Sequence, residues 1–281
     1  MLQINHLSKQ FGTKTALNDI TFRFDNGVYG LLGANGAGKT TMMRCLTKLY
    51  PVPKNTIYYK GNCITTNKNF CDNIGYLPQK FGLFKDLKVY EMMQLMANLK
   101  KVNKSVVDQN IRNCIEIVNL TDRIDSKVGS LSGGMLRRLG IAQVLLNNPH
   151  IMIFDEPTAG LDPEERLRFK NIITQIKDDK IIIISTHIVE DVEAVCDQVA
   201  IMKEGKIIFC GTCQEIENLA KDKVYVLPKN RIYEINGQYT EQKHFERDGV
   251  HMVKIVSSDP QNIDSCKPNI EDGYICIIKE Q

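Results

Sequence analysis

The chain has 281 residues, 43% of them apolar and 25% charged, with a formal net charge of +3. Those values suit a folded globular protein with one large domain and an appendage, and so small a charge excess gives no footing for a nucleic-acid or membrane-surface partner. Its nine cysteines are odd in number and scattered, which fits a reducing compartment and argues against a disulfide framework.

No run reaches about 18 consecutive apolar residues, and the opening MLQINHLSKQ lacks a charged-then-apolar leader pattern. The chain is therefore not expected to cross a membrane by itself. LQINHL and DITFRF alternate polar and apolar residues, with a turn at Asp25-Asn26-Gly27, which predicts antiparallel strands at the start. VYGLLG (28–33) reads as a buried strand, TTMMRCLTKLY as the helix after it, and NTIYYKG and NIGYLPQ as further short strands.

From about residue 85 to 148 the texture is helical. YEMMQLMANLKK and VVDQNIRNCIEIVNL carry apolar residues three and four apart, and Pro149 closes the helix that starts after Ser132. IMIFD and KIIIIST are apolar throughout, as strands buried on both faces of a parallel sheet are, and ERLRFKNIITQIKDD is the crossover helix between them. Cys210 and Cys213, in FCGTC, read as a turn between a strand and a helix, because no second pair completes a metal set. KVYVL, RIYEI, HMVKIVS and YICIIKE read as short strands, making residues 221–281 a small β-rich appendage with no catalytic constellation; its His244 and His251 lack a metal-binding arrangement.

The chemistry sits in a few short stretches. Gly33, Ala34, Asn35, Gly36, Ala37, Gly38, Lys39 and Thr40, with Thr41 directly after them, match G-x-x-x-x-G-K-[ST] between a strand and a helix. In that pattern the glycines let backbone N–H groups wrap phosphates, Lys39 adds a positive charge to the β- and γ-phosphates, and the Thr40 hydroxyl ligates Mg²⁺. Asp155 ends a buried strand, where its carboxylate needs a cation such as that Mg²⁺. Glu156, on the opposite side of the chain if the strand continues, is placed to act as general base on a water. Gln79 and His187 each follow a core strand; Gln79 can reach the metal or the water, and His187 the γ-phosphate. SLSGGMLRRLG puts Ser132, Gly133 and Gly134 at a helix start, a second anion-receiving N-terminus without a lysine.

In this order GANGAGKTT, LPQ, LSGGM, IMIFDEP, GLD and STH resemble the ATP-binding subunit of ATP-binding cassette (ABC) transporters over roughly residues 1–220. The resemblance implies a P-loop NTPase (RecA-like) α/β core with an N-terminal antiparallel β-subdomain and a helical subdomain. It makes Gly33 to Thr41 the phosphate loop, Gln79 the metal and coupling residue, and Ser132, Gly133 and Gly134 the signature. Asp155 becomes the metal carboxylate, Glu156 the base, Asp162 the loop that communicates across a dimer, and His187 the γ-phosphate switch. Phe11, in KQFGTK, matches the aromatic that stacks on adenine. Met135 departs from the usual glutamine of the signature and is similar to a drug-, antibiotic- and peptide-exporter branch.

Implied with the family are ATP and Mg²⁺, a second ATP-binding subunit, separate transmembrane permease subunits and a place on the inner, cytoplasmic face of the cell membrane. In the dimer so implied, the signature of one subunit meets the γ-phosphate held by the other. A rival reading, a cassette protein acting on ribosomes or DNA, would carry a second cassette or long coiled-coil or zinc insertions, and the sequence has neither. Phe81, Leu83 and Phe84, after Gln79, either dock a membrane partner or pack the helical subdomain.

Overall fold

The computed structural model describes residues 1–279. The chain opens with β1 (Leu2–Phe11) and β2 (Lys14–Phe24), an antiparallel pair. Next come β3 (Gly27–Leu32), α1 (Lys39–Leu46) and the short strands β4 (Ile57–Tyr59) and β5 (Asn62–Cys63), followed by β6 (Ile74–Leu77). The helical stretch holds α2 (Val89–Leu99), α3 (Val107–Ile117) and α4 (Gly133–Leu145). The chain then returns through β7 (Ile151–Asp155), α5 (Pro163–Ile176), β8 (Ile181–Thr186), α6 (Val189–Val195) and β9 (Gln198–Lys203). In β10 (Lys206–Gly211) the contacts divide the chain, with one unit ending at Ile207 and a second beginning at Ile208.

In the first unit, β1, β2, β4 and β5 form an antiparallel sheet in the order β2-β1-β4-β5. The central sheet runs β9-β3-β8-β7-β6, with β10 beyond β9, and the pairs among β3, β6, β7, β8 and β9 are parallel. Parallel pairing brings the C-terminal ends of those strands to one edge, where ligands bind in open α/β sheets. The order also puts β8 between β3 and β7, so the segment after β8 lies between the glycine-rich loop after β3 and Asp155 at the end of β7.

The strand residues explain why the sheet is covered on both sides. Met152, Phe154, Ile182 and Ile184 face a core shared with α2, α3 and α4, while Ile151, Ile153, Ile181 and Ile183 face a second core built on Leu2, Ile4, Met42 and Met43. Neighbouring residues thus serve opposite faces, and a strand buried on both has no polar position left. This is the expected P-loop α/β core, with its antiparallel β-subdomain on one side and the helices on the other.

The C-terminal end of α4 is held by Lys100, whose Nζ donates to the carbonyls of Gln143 (2.6 Å), Val144 (3.3 Å) and Leu146 (3.4 Å). Burial lowers the Lys100 pKa to about 8. Lys100→Met keeps the stem but orphans these helix-end carbonyls. Such a loss is expected to destabilise the first unit by about 1–3 kcal/mol. Chemical unfolding would measure it, and an unchanged unfolding free energy would show that water replaces the ammonium.

The second unit contains α7 (Cys213–Leu219), β11 (Val224–Pro228), β12 (Tyr239–Arg247), β13 (Val250–Ser257) and α8 (Ile270–Lys279). Its sheet has the order β11-β13-β12. Cys210 ends up in β10 and Cys213 in the first turn of α7, with Thr212 and Glu215 between and beyond them forming a capping box. Two expected strands are not strands. RIYEI lies in a 3-10 helix over Lys229–Glu234, entered from Pro228 and braced by the Arg231–Glu234 pair at 2.6 Å.

YICIIKE, whose last residue Glu280 lies outside the described residues, belongs to α8. The cap decides this. Asp272 N–H donates to Asn269 Oδ1 (2.9 Å) and Asn269 N–H to Asp272 Oδ2 (2.7 Å), a reciprocal helix start. Ile270, Gly273, Cys276 and Ile277 then fall on one buried face, a period near 3.6 that a short window mistakes for alternation. β12 escaped the sequence reading because most of its side chains are exposed and polar, leaving no apolar rhythm. Its turn was nonetheless written as Asp248-Gly249, both at positive φ (51° and 74°), the backbone that a two-residue hairpin requires.

Candidate functional site

The segment between β3 and α1 is shaped by what surrounds it. Gly38 has φ of 109°, and a Cβ there would stand 2.6 Å from the Ala16 carbonyl oxygen. A Cβ on Gly33 would stand 2.4 Å from the Met202 carbonyl oxygen. Both glycines are therefore required by conformation or close approach, and α1 starts directly after Gly38 with Lys39, Thr40 and Thr41 in its first turn.

Phe11, Asn35, Gly36, Gly38, Lys39, Thr40, Thr41, Gln79 and Glu156 line one cleft of about 240 Å³, together with Lys14 and Ala16. Ala37 is buried behind the loop, and Ala34 offers its carbonyl oxygen to Lys39 Nζ at 3.2 Å. Phe11 is 45% exposed at the cleft mouth, with the Tyr50 ring edge-on at 5.2 Å and Lys9 Nζ 5.6 Å from its ring centroid. Lys14 was not singled out from the sequence, since a lysine in a hairpin carries no distinguishing signal.

Lys39 is 6% exposed; its Nζ donates to the Gly33 carbonyl at 2.5 Å and lies 3.8 Å from Glu156 Oε1. Burial lowers the Lys39 pKa from its ordinary value, opposed by the charges of Glu156 and Asp155. Asp155 is 1% exposed and accepts from Ser185 Oγ (2.6 Å) and Thr40 Oγ1 (3.1 Å). Burial, with the neighbouring Asp155 charge, pushes the Tyr76 hydroxyl up to about 12.

Glu156 reaches the cleft by a different route from the one the strand pattern suggested. β7 ends at Asp155, and Glu156 turns into the left-handed region at φ of 49°. Such a backbone costs a non-glycine residue about 1–3 kcal/mol and persists only where its surroundings enforce it. Here the Glu156 N–H donates to Ser185 Oγ (3.0 Å) and the Ser185 carbonyl (3.1 Å). One carboxylate oxygen, Oε2, lies 2.9 Å from His187 Nδ1. His187 thus bonds to the glutamate directly.

The remaining residues lie outside the lining of this cleft. Ser132 caps α4, its Oγ accepting from Met135 N–H at 3.2 Å. Gly133 has open space where a Cβ would point, whereas a Cβ on Gly134 would stand 2.6 Å from Glu165. At Gly134 α4 thus lies against the Glu165 side chain of α5 within the same chain, an approach that the Arg138–Glu165 pair (3.1 Å) also holds. Asp162 caps α5, accepting from Glu165 N–H at 2.8 Å, with Pro163 at the first helical position. Met135 packs at the margin of the helical core.

Of the three residues after Gln79 with an open role, Phe81 and Leu83 pack against the helical core, while Phe84 is 63% exposed. Gly140 has no room for a Cβ because the Phe81 ring would lie 2.7 Å away. The sequence reading also passed over Arg137, 9% exposed, which donates to the backbone carbonyls of Gln79, Asp155, Glu156 and Pro157.

Among the described residues no group of three His, Cys, Asp or Glu side chains is placed to hold a metal, and no helix is long and apolar enough to cross a membrane. The family model described as ABC transporter matches residues 17–159. The uncharacterised ABC transporter ATP-binding protein YxlF of Bacillus subtilis is 34% identical over 228 residues, 81% of this chain and 76% of that protein. Nod factor export ATP-binding protein I of Burkholderia lata is 34% identical over 213 residues, 75% of this chain and 70% of its own length. The structure of cbiO1 from Clostridium perfringens, part of the ABC transporter complex cbiONQ, superposes with a TM-score of 0.69 at 27% identity, over 76% of this chain and 89% of that one. With a glycine-rich loop leading into α1, a buried aspartate and a glutamate–histidine pair gathered at one sheet edge, the chain belongs to the ABC transporter family as an ATP-binding subunit that hydrolyses ATP.

Proposed function

We propose that two copies of this subunit, or this chain and a close paralogue, close head to tail around ATP and Mg²⁺, and that hydrolysis reopens them to drive separate transmembrane permease subunits. The observation that carries the reading is the division of the anion-binding parts. Lys39, Thr40, Gln79 and Glu156 line one cleft, while the capped N-terminus of α4, with Gly133 facing open space, does not line it. An N-terminus of that kind is suited to the γ-phosphate of a nucleotide held by another subunit, and needs no lysine because the other phosphate loop supplies one.

In the cleft the backbone N–H groups around Gly36 and the start of α1 receive the phosphates, and Phe11 stacks on the adenine. Lys39 leaves the loop carbonyls for the β- and γ-phosphate oxygens. Thr40 Oγ1 and Asp155 Oδ1, 3.1 Å apart, are hard oxygen donors that would hold Mg²⁺, with the Gln79 amide lining the same cleft. When bound, Mg²⁺ neutralises charge that develops on the phosphates. Glu156 accepts a proton from the attacking water, and His187 fixes the carboxylate and addresses the γ-phosphate. Asp162, at the start of α5, lies on the loop that reports this state to the facing subunit.

The groove beside the exposed Phe84, lined also by Asp86, Leu87, Glu91 and Leu95, is the permease-docking surface in this reading, which holds the subunit at the inner, cytoplasmic face of the cell membrane. Export of a peptide, antibiotic or other small amphipathic cargo is the transport task proposed, supported by Met135 in the signature and by the likeness to a Nod factor export protein. Residues 1–220 form the ATP-binding domain in this account and 221–281 the appendage.

Ser132→Asp tests the trans contact. Aspartate caps a helix as well as serine does, so α4 keeps its start. A second negative charge about 4 Å from a phosphate costs on the order of 4 kcal/mol at an effective dielectric of 20. ATP affinity of the monomer should hold, while ATP-dependent dimerisation measured by sedimentation falls on the order of 1,000-fold. An unweakened dimer would remove the trans contact.

A further inference from the structure

Arg137 sits on α4 one turn beyond the signature glycines, buried to 9% exposure. Its hydrogen-bond partners are all backbone carbonyls. Nε donates to Pro157 (2.7 Å), Nη1 to Gln79 (3.1 Å), and Nη2 to Asp155 (3.3 Å) and to Glu156. The Phe81 ring stacks near the guanidinium, with its centroid 5.6 Å from Cζ.

These carbonyls belong to two loops that line or border the cleft and that the chain separates by more than seventy residues. A planar guanidinium can hold such a set because its five N–H donors lie in a fixed fork. Two of the carbonyls flank the peptide at which Glu156 adopts its left-handed backbone. A strained turn of this kind needs its surroundings to over-determine it, and the Ser185 contacts hold only its N–H side. Arg137 holds the carbonyl side, where the other donor to Glu156 is the Ala159 N–H at a longer 3.4 Å.

We propose that Arg137 is a positioning residue for hydrolysis. Through one fork it ties the helix that begins at Ser132 to the Glu156 turn and to the Gln79 loop, so that base and glutamine are placed when that helix is docked. The proposal rests on the reading of Glu156 as the base. A residue that merely filled the core would be replaceable by any side chain of similar volume. A residue that positions the base loses turnover when the fork is lost even if the charge stays.

Arg137→Lys keeps the charge but cannot span four carbonyls, and Arg137→Gln keeps part of the fork without the charge. In the full chain with ATP and Mg²⁺, both should remain folded, with the thermal midpoint lowered by no more than about 10 °C because some of the four carbonyls lose their donor, and with KM within about threefold. Their kcat should drop on the order of 10- to 100-fold, the scale of a displacement near 1 Å at a reacting group. Unchanged kcat in a folded variant, a rise in KM with kcat intact, or unfolding of both variants would each overturn the positioning role. Glu156→Gln assayed beside them separates the two readings. Near-normal turnover there removes the base assignment itself, whereas lost turnover there with intact kcat in the Arg137 variants removes the positioning role alone.

Discussion

Replacing Glu156 by glutamine is expected to lower ATP turnover by about 10²–10⁴-fold, the usual share of a general base, while nucleotide affinity is preserved. The substitution isolates one property. Glutamine has the shape of glutamate, its amide can still meet His187 Nδ1 where Oε2 lies at 2.9 Å, and the backbone bonds to Ser185 do not involve the side chain. What is lost is the capacity to accept a proton from water. A second effect follows from linkage. If ATP joins two subunits and hydrolysis releases them, a variant that binds without cleaving accumulates the ATP-bound dimer. Phosphate release and sedimentation in the presence of ATP measure the two effects, and near-normal hydrolysis would move the base elsewhere.

Lys39→Ala is expected to act one step earlier, on binding. The ammonium is buried in the cleft beside Glu156 and sits on the carbonyls of Gly33 and Ala34, and in the proposed reading it turns from them to the phosphates. A charge-assisted hydrogen bond contributes about 1.5–3 kcal/mol, so its removal should weaken ATP affinity by about 10- to 150-fold. Titration with a fluorescent ATP analogue reads this directly, without turnover. Since the phosphates carry more charge on ATP than on ADP, the loss should be larger for ATP. Equal affinity in the variant and the unchanged chain would detach the loop from the phosphates.

The two variants are expected to separate because, in the proposed reading, binding and chemistry draw on different elements. Lys39 comes from the start of α1, and Glu156 from the end of β7, two strands away from β3 across the sheet. β8 lies between, and its end supplies Ser185 to both Asp155 and the Glu156 backbone. The short STH stretch is therefore as much a clamp on the carboxylates as a source of His187.

The parts legible in the sequence were those whose signal is contiguous. A glycine loop between a strand and a helix, a carboxylate ending an apolar strand and a serine before a helix each carry their own local reason, and each stands where that reason puts it. Errors arose where the local signal was weak. The tail helix α8 reads as a strand within a short window, and the exposed β12 carries no apolar alternation because it is solvated.

Side-chain type and spacing within a few positions mark which residues have the groups that phosphate chemistry would use. The tertiary structure decided how they are held. It turned Glu156 into the cleft by a left-handed backbone rather than by strand alternation, set Gly134 against the Glu165 side chain, sent Phe81 inward while Phe84 stayed exposed, and bound Arg137 to four carbonyls. The physical reason is that a backbone carbonyl is the same group in every residue. A side chain that recognises carbonyls from distant loops leaves no pattern in the sequence, and only the fold brings its partners together.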